Sequence, residues 1–194
     1  MAVIGVLALQ GDFAEHIQLL ATMGVEATEV RLPRDLRGID ALIIPGGEST
    51  TIVKLMDAFE LTWEIKELVK EGMPTWGTCA GMIVLARELT EDRPKPLGLM
   101  DIRVRRNAFG RQVDSFESHI SVPVLGGEPF PAVFIRAPVI EEIGPRVKSL
   151  AHLGHHGVVA AQEGHMMVTA FHPELTQDQR FHSYFVRMAS GDLK

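Results

Sequence analysis

One cysteine, one tyrosine and two tryptophans are all that these 194 residues hold of those three types. A single cysteine rules out an internal disulfide, and a free thiol fits a reducing compartment, so a cytoplasmic location is expected. It also leaves no second thiolate for a structural zinc set. No apolar run is long enough to span a bilayer. Residues 2–9 are apolar, but they have no basic flank and no cleavage-like site. They end in Gln10-Gly11-Asp12, which suits a buried strand better than a signal peptide. Positive charge is scarce, with 19 Lys and Arg against 25 Asp and Glu and a net charge of −6. The only basic cluster is Arg103, Arg105, Arg106 and Arg111, too short to indicate nucleic-acid binding. Repeats, linkers and low-complexity tracts are absent, so residues 1–194 read as a single domain long enough to bury a full core.

What is present alternates. Residues 2–9 and 41–44 are continuous apolar runs, as strands covered on both faces read, and residues 25–30 suit a further strand. Between them Phe13, Ile17, Leu20 and Met23 fall at helical spacing after Asp12, a candidate cap. Ser49 or Thr50 is placed to cap a second helix, and a third runs over about 62–71. Strands alternating with helices predict a mostly parallel α/β sheet with helices on its faces. Residues 91–127 are more charged and more broken. Residues 132–170 carry several short apolar runs with turn signals, read as added, largely antiparallel strands. A closing helix is expected over 176–189.

The cysteine sits in Gly77-Thr78-Cys79-Ala80-Gly81, between a short apolar stretch and residues 82–87, which read as a helix. G-x-C-x-G at a strand–turn–helix junction is the cysteine form of a nucleophile elbow. Free N–H groups at the helix start favour a thiolate there. In a parallel sheet chemistry gathers at the C-terminal strand ends. Three sharp turns fall at such ends: Gln10-Gly11-Asp12, Pro45-Gly46-Gly47-Glu48-Ser49 and the elbow itself.

Of eight histidines, His16 and His182 fall on predicted helices, and His152, His155, His156 and His165 lie in or near the antiparallel section. Adjacent residues on a strand face opposite ways, so His155-His156 does not argue for a metal. His172 stands apart, in Phe171-His172-Pro173-Glu174. Proline biases His172 toward extended geometry, where residues two apart share a face, so Glu174 can orient the ring. Cys79, His172 and Glu174 then form a thiol–imidazole–carboxylate triad. On spacing alone, capping of the last helix explains His172 and Glu174 equally well; the elbow favours the triad. An oxyanion hole needs two N–H donors, and those of Ala80 and Gly47 are the candidates.

Taken together, these residues resemble the class I glutamine amidotransferases, a flavodoxin-like fold. More narrowly, they resemble the glutaminase subunits of pyridoxal 5′-phosphate synthase. The segments that carry the likeness are Gly5-Val6-Leu7-Ala8-Leu9-Gln10-Gly11, Ile44-Pro45-Gly46-Gly47-Glu48-Ser49-Thr50-Thr51, Arg106-Asn107-Ala108-Phe109-Gly110-Arg111-Gln112, Phe134-Ile135-Arg136-Ala137-Pro138 and Phe171-His172-Pro173-Glu174-Leu175. Ala108 stands where many relatives are expected to have serine. The resemblance implies hydrolysis of L-glutamine to L-glutamate and ammonia by Cys79 and His172. It implies that backbone around Gly47, Glu48 and Ser49, with Arg106, Ile135 and Arg136, holds the substrate. It calls for no cofactor and no metal. It implies a separate barrel-shaped synthase subunit in a large hetero-oligomer to receive the ammonia, with Gln10 facing that partner. Arg106 reads otherwise as a solvated arginine, and Arg136 as a partner of Glu141 or Glu142. The alternatives are the glutaminase subunit of another amidotransferase, set apart by residues 106–112, and a stand-alone cysteine hydrolase of similar fold.

Overall fold

The structure, a computed structural model, describes residues 2–108 and 115–193. The first half runs β1 (Ile4–Leu7), α1 (Phe13–Thr22), β2 (Ala27–Val30), β3 (Ala41–Ile44), α2 (Ser49–Ala58), α3 (Leu61–Lys70), β4 (Thr75–Thr78) and α4 (Ala80–Leu85). The second half adds β5 (Ala86–Leu89), β6 (Met100–Arg105), β7 (Ser115–Ile120), β8 (Phe130–Ile135), β9 (Val139–Ile143), β10 (Lys148–His152), β11 (Val158–Glu163), β12 (Met166–Thr169) and α5 (Arg180–Ala189).

The main sheet has the order β2-β1-β3-β4-β12-β11-β9-β6-β5, with β10 paired to β11 beside that path. From β2 to β12 every pairing is parallel. This is the strand order of the flavodoxin-like doubly wound sheet. β1, β3, β4 and β12 are buried along their whole length, which explains their unbroken apolar runs. Antiparallel pairing extends the sheet through β11, β9 and β6, and β7 and β8 form a separate hairpin. α1 lies on β1 and β2, and α4 on β3 and β4. Trp76 is fully buried, stacked 6.2 Å from Phe181 of α5; Phe181 also meets Phe171 edge-on at 5.3 Å. This aromatic cluster pins α5 against β4, the strand that leads into Cys79.

Several elements differ from the sequence expectation. The helix after Cys79 stops at Leu85, because Ala86 turns to extended backbone and pairs with Met100 of β6. The closing helix starts at Arg180 rather than 176. A 3-10 turn over Pro173–Leu175 intervenes. Thr176 Oγ1 then accepts from Asp178 N, and Asp178 Oδ1 from Arg180 N. Such side-chain bonds to backbone compete with helical ones. β12 belongs to the parallel half as well as the antiparallel one, since it pairs with β4 on one side and β11 on the other. Glu48, not Ser49 or Thr50, caps α2: its carboxylate accepts from Thr50 N at 3.1 Å and Thr51 N at 2.7 Å. Asp12 makes no capping bond to α1. His155 and His156 lie on a 3-10 turn, not a strand, with ring centroids 4.1 Å apart.

Candidate active site

Parallel pairing of β1, β3 and β4 brings the turns after them to one sheet edge. They line a cavity of about 310 Å³ with Gln10, Asp12, Gly47, Glu48, Ser49, Cys79, Ala80, Arg106, Ile135, Arg136 and His172 among its walls. Every residue that the sequence singled out for substrate or oxyanion contact borders this one space. So do Cys79 and His172, while Glu174 lies directly behind His172.

Cys79 has φ 46° and ψ −101°, a strained conformation for a residue with a Cβ. Three contacts hold it there. Its N–H donates to Thr169 O at 2.7 Å, and its carbonyl accepts from Met82 N at 3.1 Å. Gly81 lies so close to β3 that a Cβ would collide with the Ile44 carbonyl. The strain aims the sulfur into the cavity, 3.8 Å from Ile135 O, while leaving the residue only 7% exposed.

His172 follows β12, and its own N–H donates to Val133 O at 2.9 Å. The ring is buried. Its Nδ1 meets Glu174 Oε1 at 2.7 Å and Asp12 Oδ2 at 3.3 Å. Burial disfavours the charged ring, but hydrogen bonding with Asp12, Cys79 and Glu174 outweighs it and pushes the pKa up to about 12. Glu174 is itself buried, and desolvation raises its carboxyl above the usual range despite the pull of His172. With Nδ1 committed to carboxylates, Nε2 is left to serve the sulfur. Ligand atoms of Asp12, His172 and Glu174 lie within 4.8 Å of one another, close enough to bracket a cation. A charged imidazole between two carboxylates accounts for the same spacing.

The Gly46–Gly47 peptide is held by its carbonyl, which accepts from Asp12 N at 3.1 Å. A Cβ on Gly46 would run into the His172 ring. Gln10 Oε1 accepts from Glu48 N at 2.7 Å, so Gln10 ties the β1 turn to the β3 turn. Arg106 borders the cavity with its Nη1 donating to Arg93 O at 2.9 Å and its Nη2 3.3 Å from Glu48 Oε1. Ala108 N donates to Ala137 O at 3.0 Å, which draws the Arg106 loop against the Ile135–Arg136 turn. Arg136 is exposed with φ 42°. Glu141 and Glu142 are taken by Arg105 and Arg103, each at 2.9 Å. Residues 109–112 of the Arg106-to-Gln112 segment, Arg111 included, lie outside the described residues.

Sequence reasoning missed two residues. Asp12 read as a helix cap but turns its carboxylate to His172; nothing in a Gly-Asp turn distinguishes those uses. His16 read as an ordinary helical histidine, yet it is fully buried with Nε2 3.3 Å from Glu174 Oε2. Its place one turn into α1, after an edge turn, was the available signal.

A flavodoxin-like parallel sheet, with a cysteine elbow and a histidine–glutamate pair at one edge, is the architecture of the class I glutamine amidotransferases. Residues 6–190 match the model of the SNO glutamine amidotransferase family, and the chain belongs to it. The chain is 58% identical over 188 residues to the pyridoxal 5′-phosphate synthase subunit PdxT of Dehalococcoides mccartyi, covering 96% of each. It is 57% identical over 186 residues to PdxT of Moorella thermoacetica, covering 95% of this chain and 98% of that one. A crystal structure of a glutamine amidotransferase superposes with a TM-score of 0.91 at 48% identity, over 97% of this chain and all of that one. A glutamine amidotransferase of Thermotoga maritima, at 12% identity and a TM-score of 0.62, shares the fold, over the whole of this chain and 86% of the other.

Proposed function

We propose that this chain is the glutaminase subunit of a pyridoxal 5′-phosphate synthase, with residues 1–194 acting as one domain. It hydrolyses L-glutamine to L-glutamate and ammonia and delivers the ammonia to a separate synthase subunit within a hetero-oligomer. Family membership and the relatives named PdxT support this reading. The observation that carries the chemistry is the cavity walled by Cys79 and His172, with Glu174 2.7 Å behind the ring. A lone reactive thiol fits the reducing cytoplasm. Among the described residues no helix is long and apolar enough to cross a membrane.

The geometry supports the following steps. His172, favoured in its charged form by its neighbours, holds the proton given up by the Cys79 thiol. The sulfur attacks the side-chain amide carbon of glutamine, and the N–H groups of Gly47 and Ala80 receive the developing oxyanion. His172 passes its proton to the departing nitrogen, releasing ammonia and leaving a thioester. The neutral ring then takes a proton from water as it attacks, and collapse of the second oxyanion frees glutamate and the thiol. Backbone of Gly47, Glu48 and Ser49, with Arg106, Ile135 and Arg136, holds the amino-acid end of the substrate. An arginine fork suits its carboxylate. Ammonia set free in water is protonated and lost as a nucleophile, so a chain of this kind works beside an acceptor enzyme. The test is glutamine-dependent formation of pyridoxal 5′-phosphate by the chain mixed with the synthase subunit. Free ammonium salts supporting the product while glutamine does not would overturn the reading.

A further inference from the structure

Behind the cavity lies a second layer of buried polar groups. His16 of α1 and His182 of α5 are both fully buried. His16 Nδ1 lies 2.9 Å from His182 Nε2. His16 Nε2 lies 3.3 Å from Glu174 Oε2 and 3.3 Å from Thr78 Oγ1. Glu174 thus divides its oxygens, with Oε1 facing His172 and Oε2 facing His16. Oε2 is buried and makes no aligned hydrogen bond, so His16 Nε2 is the group poised to serve it. Thr78 immediately precedes Cys79. His16 therefore bridges the carboxylate that orients the base and the strand end that carries the nucleophile.

A proton count fixes the direction of this bridge. His182 Nδ1 is buried without a partner. A buried N–H left without an acceptor is costly, so the His182 proton belongs on Nε2, where it donates to His16 Nδ1. His16 then carries its own proton on Nε2, pointing toward Glu174 Oε2 and Thr78. Burial drives both rings to the neutral form: His16 is lowered well below the ordinary range and His182 to about 3. Trp76 walls the pair, edge-on to His16 at 5.7 Å and to His182 at 4.8 Å.

We propose that His16 is a positioning residue of the glutaminase site, holding the outer oxygen of Glu174 in register with His172, and that His182 fixes its tautomer. The proposal rests on the triad reading given above. Besides His16, the ionisable groups set against Glu174 are His172 and Asp12.

The test is glutamine turnover by the full chain with its synthase partner at saturation, in a double-mutant cycle of His16→Leu and Glu174→Gln. We expect His16→Leu to lower kcat about tenfold, within the range of coupled hydrogen-bond partners, with KM unchanged. His16→Gln, which returns an N–H near the Nε2 position, should recover most of the loss. In the Glu174→Gln background His16→Leu should cost less than twofold, because its route of action is already gone. If Leu does not fold at this site, His16→Asn replaces it: its amide reaches toward His182 but not Glu174, and the same drop is expected. A folded His16→Leu or His16→Asn chain with unchanged kcat overturns the proposal. So does an equal loss in both backgrounds, which marks a purely structural role. Failure of the triad reading looks different, since Glu174→Gln alone would then leave turnover intact.

Discussion

Arg106 reaches across the cavity mouth to Glu48, with its Nη2 3.3 Å from Oε1. The same carboxylate accepts from Thr50 N, Thr51 N and the Thr51 hydroxyl, so Glu48 is committed to capping α2. Arg106 is anchored at Arg93 O through Nη1, which holds the guanidinium at the rim. With its carboxylate so engaged, Glu48 offers the proposed substrate site its backbone, and Arg106 offers it positive charge. Arg106→Ala should raise the KM for glutamine about tenfold with little change in kcat, the size of one charged hydrogen bond. Arg106→Lys should not restore it, because an ammonium lacks the planar fork. Steady-state kinetics check this; an unchanged KM would place Arg106 outside the substrate contacts.

Cys79→Ser should abolish glutamine hydrolysis while leaving the fold intact, since an alcohol is a far poorer nucleophile than a thiolate. A glutamine-analogue electrophile should label Cys79 stoichiometrically, as read by mass spectrometry of the intact chain. Labelling at another residue would refute the assignment.

His172→Asn should lower kcat by roughly 10²- to 10⁴-fold, the usual worth of a positioned acid–base group. Glu174→Gln should cost less. Asp12 Oδ2 sits 3.3 Å from the same Nδ1 and can take over part of the orienting. The double variant Asp12→Asn, Glu174→Gln should then lose clearly more than the product of the two single losses, and a loss equal to that product would show that Asp12 has no such part.

Stability should fall with acid faster than surface carboxylates alone would cause. His16 and His182 stay neutral in the folded chain and titrate near 6.5 once unfolded. Their folded values are depressed, so the unfolded state binds more protons as pH drops below 6.5. Each group contributes a slope of up to about 1.4 kcal/mol per pH unit there. Glu174, raised by burial, opposes this by at most one proton above the usual carboxylate range. His172 has the opposite sign: its stabilising proton is fully present below 6.5 and is lost as pH rises toward about 12. Urea unfolding between pH 5 and 6.5 should show a shallower slope in His182→Leu than in the parent chain. Parallel slopes would mean that His182 does not stay neutral when buried.

Much of this was legible in the sequence where one physical signal dominates. Continuous apolar runs marked β1 and β3 because both faces of a central parallel strand are covered. Gly77 and Gly81 marked the elbow because side chains there would collide with neighbouring backbone. What failed to show was pairing between distant elements. Asp12, expected to cap α1, turns to His172, and Glu48 takes the α2 cap expected of Ser49 or Thr50, since a carboxylate near a helix start can cap it or turn to a neighbour. His16, 158 positions before Glu174, meets it only because α1 packs near the 3-10 turn over Pro173–Leu175. The arrest of the last helix before Arg180 depended on local bonds among Thr176, Asp178 and Arg180 that periodicity does not weigh.

The isolated chain should hydrolyse glutamine slowly, and the synthase partner should raise the rate. Both proposed oxyanion donors border the cavity at the sheet edge, the Gly47 N–H on the turn after β3 and the Ala80 N–H at the start of α4. The Gly46–Gly47 peptide is tethered through its carbonyl to Asp12 N at 3.1 Å. In a trans peptide the Gly47 N–H points away from that tether, so the direction of the donor follows the Asp12 bond. Two adjacent glycines allow the peptide to turn at little steric cost once that bond is given up. A donor aimed away from the oxyanion forfeits about 3–4 kcal/mol, or roughly a hundred- to a thousandfold in rate. Docking of a partner against Gln10 and the Gly47 turn can set that peptide, because Gln10 Oε1 already holds the next N–H, that of Glu48, at 2.7 Å. Gln10→Ala should then lower the stimulated rate far more than the basal rate. Turnover measured alone and with saturating partner decides the matter. Equal rates would mean that the oxyanion hole is complete in the free chain and that the partner only receives ammonia.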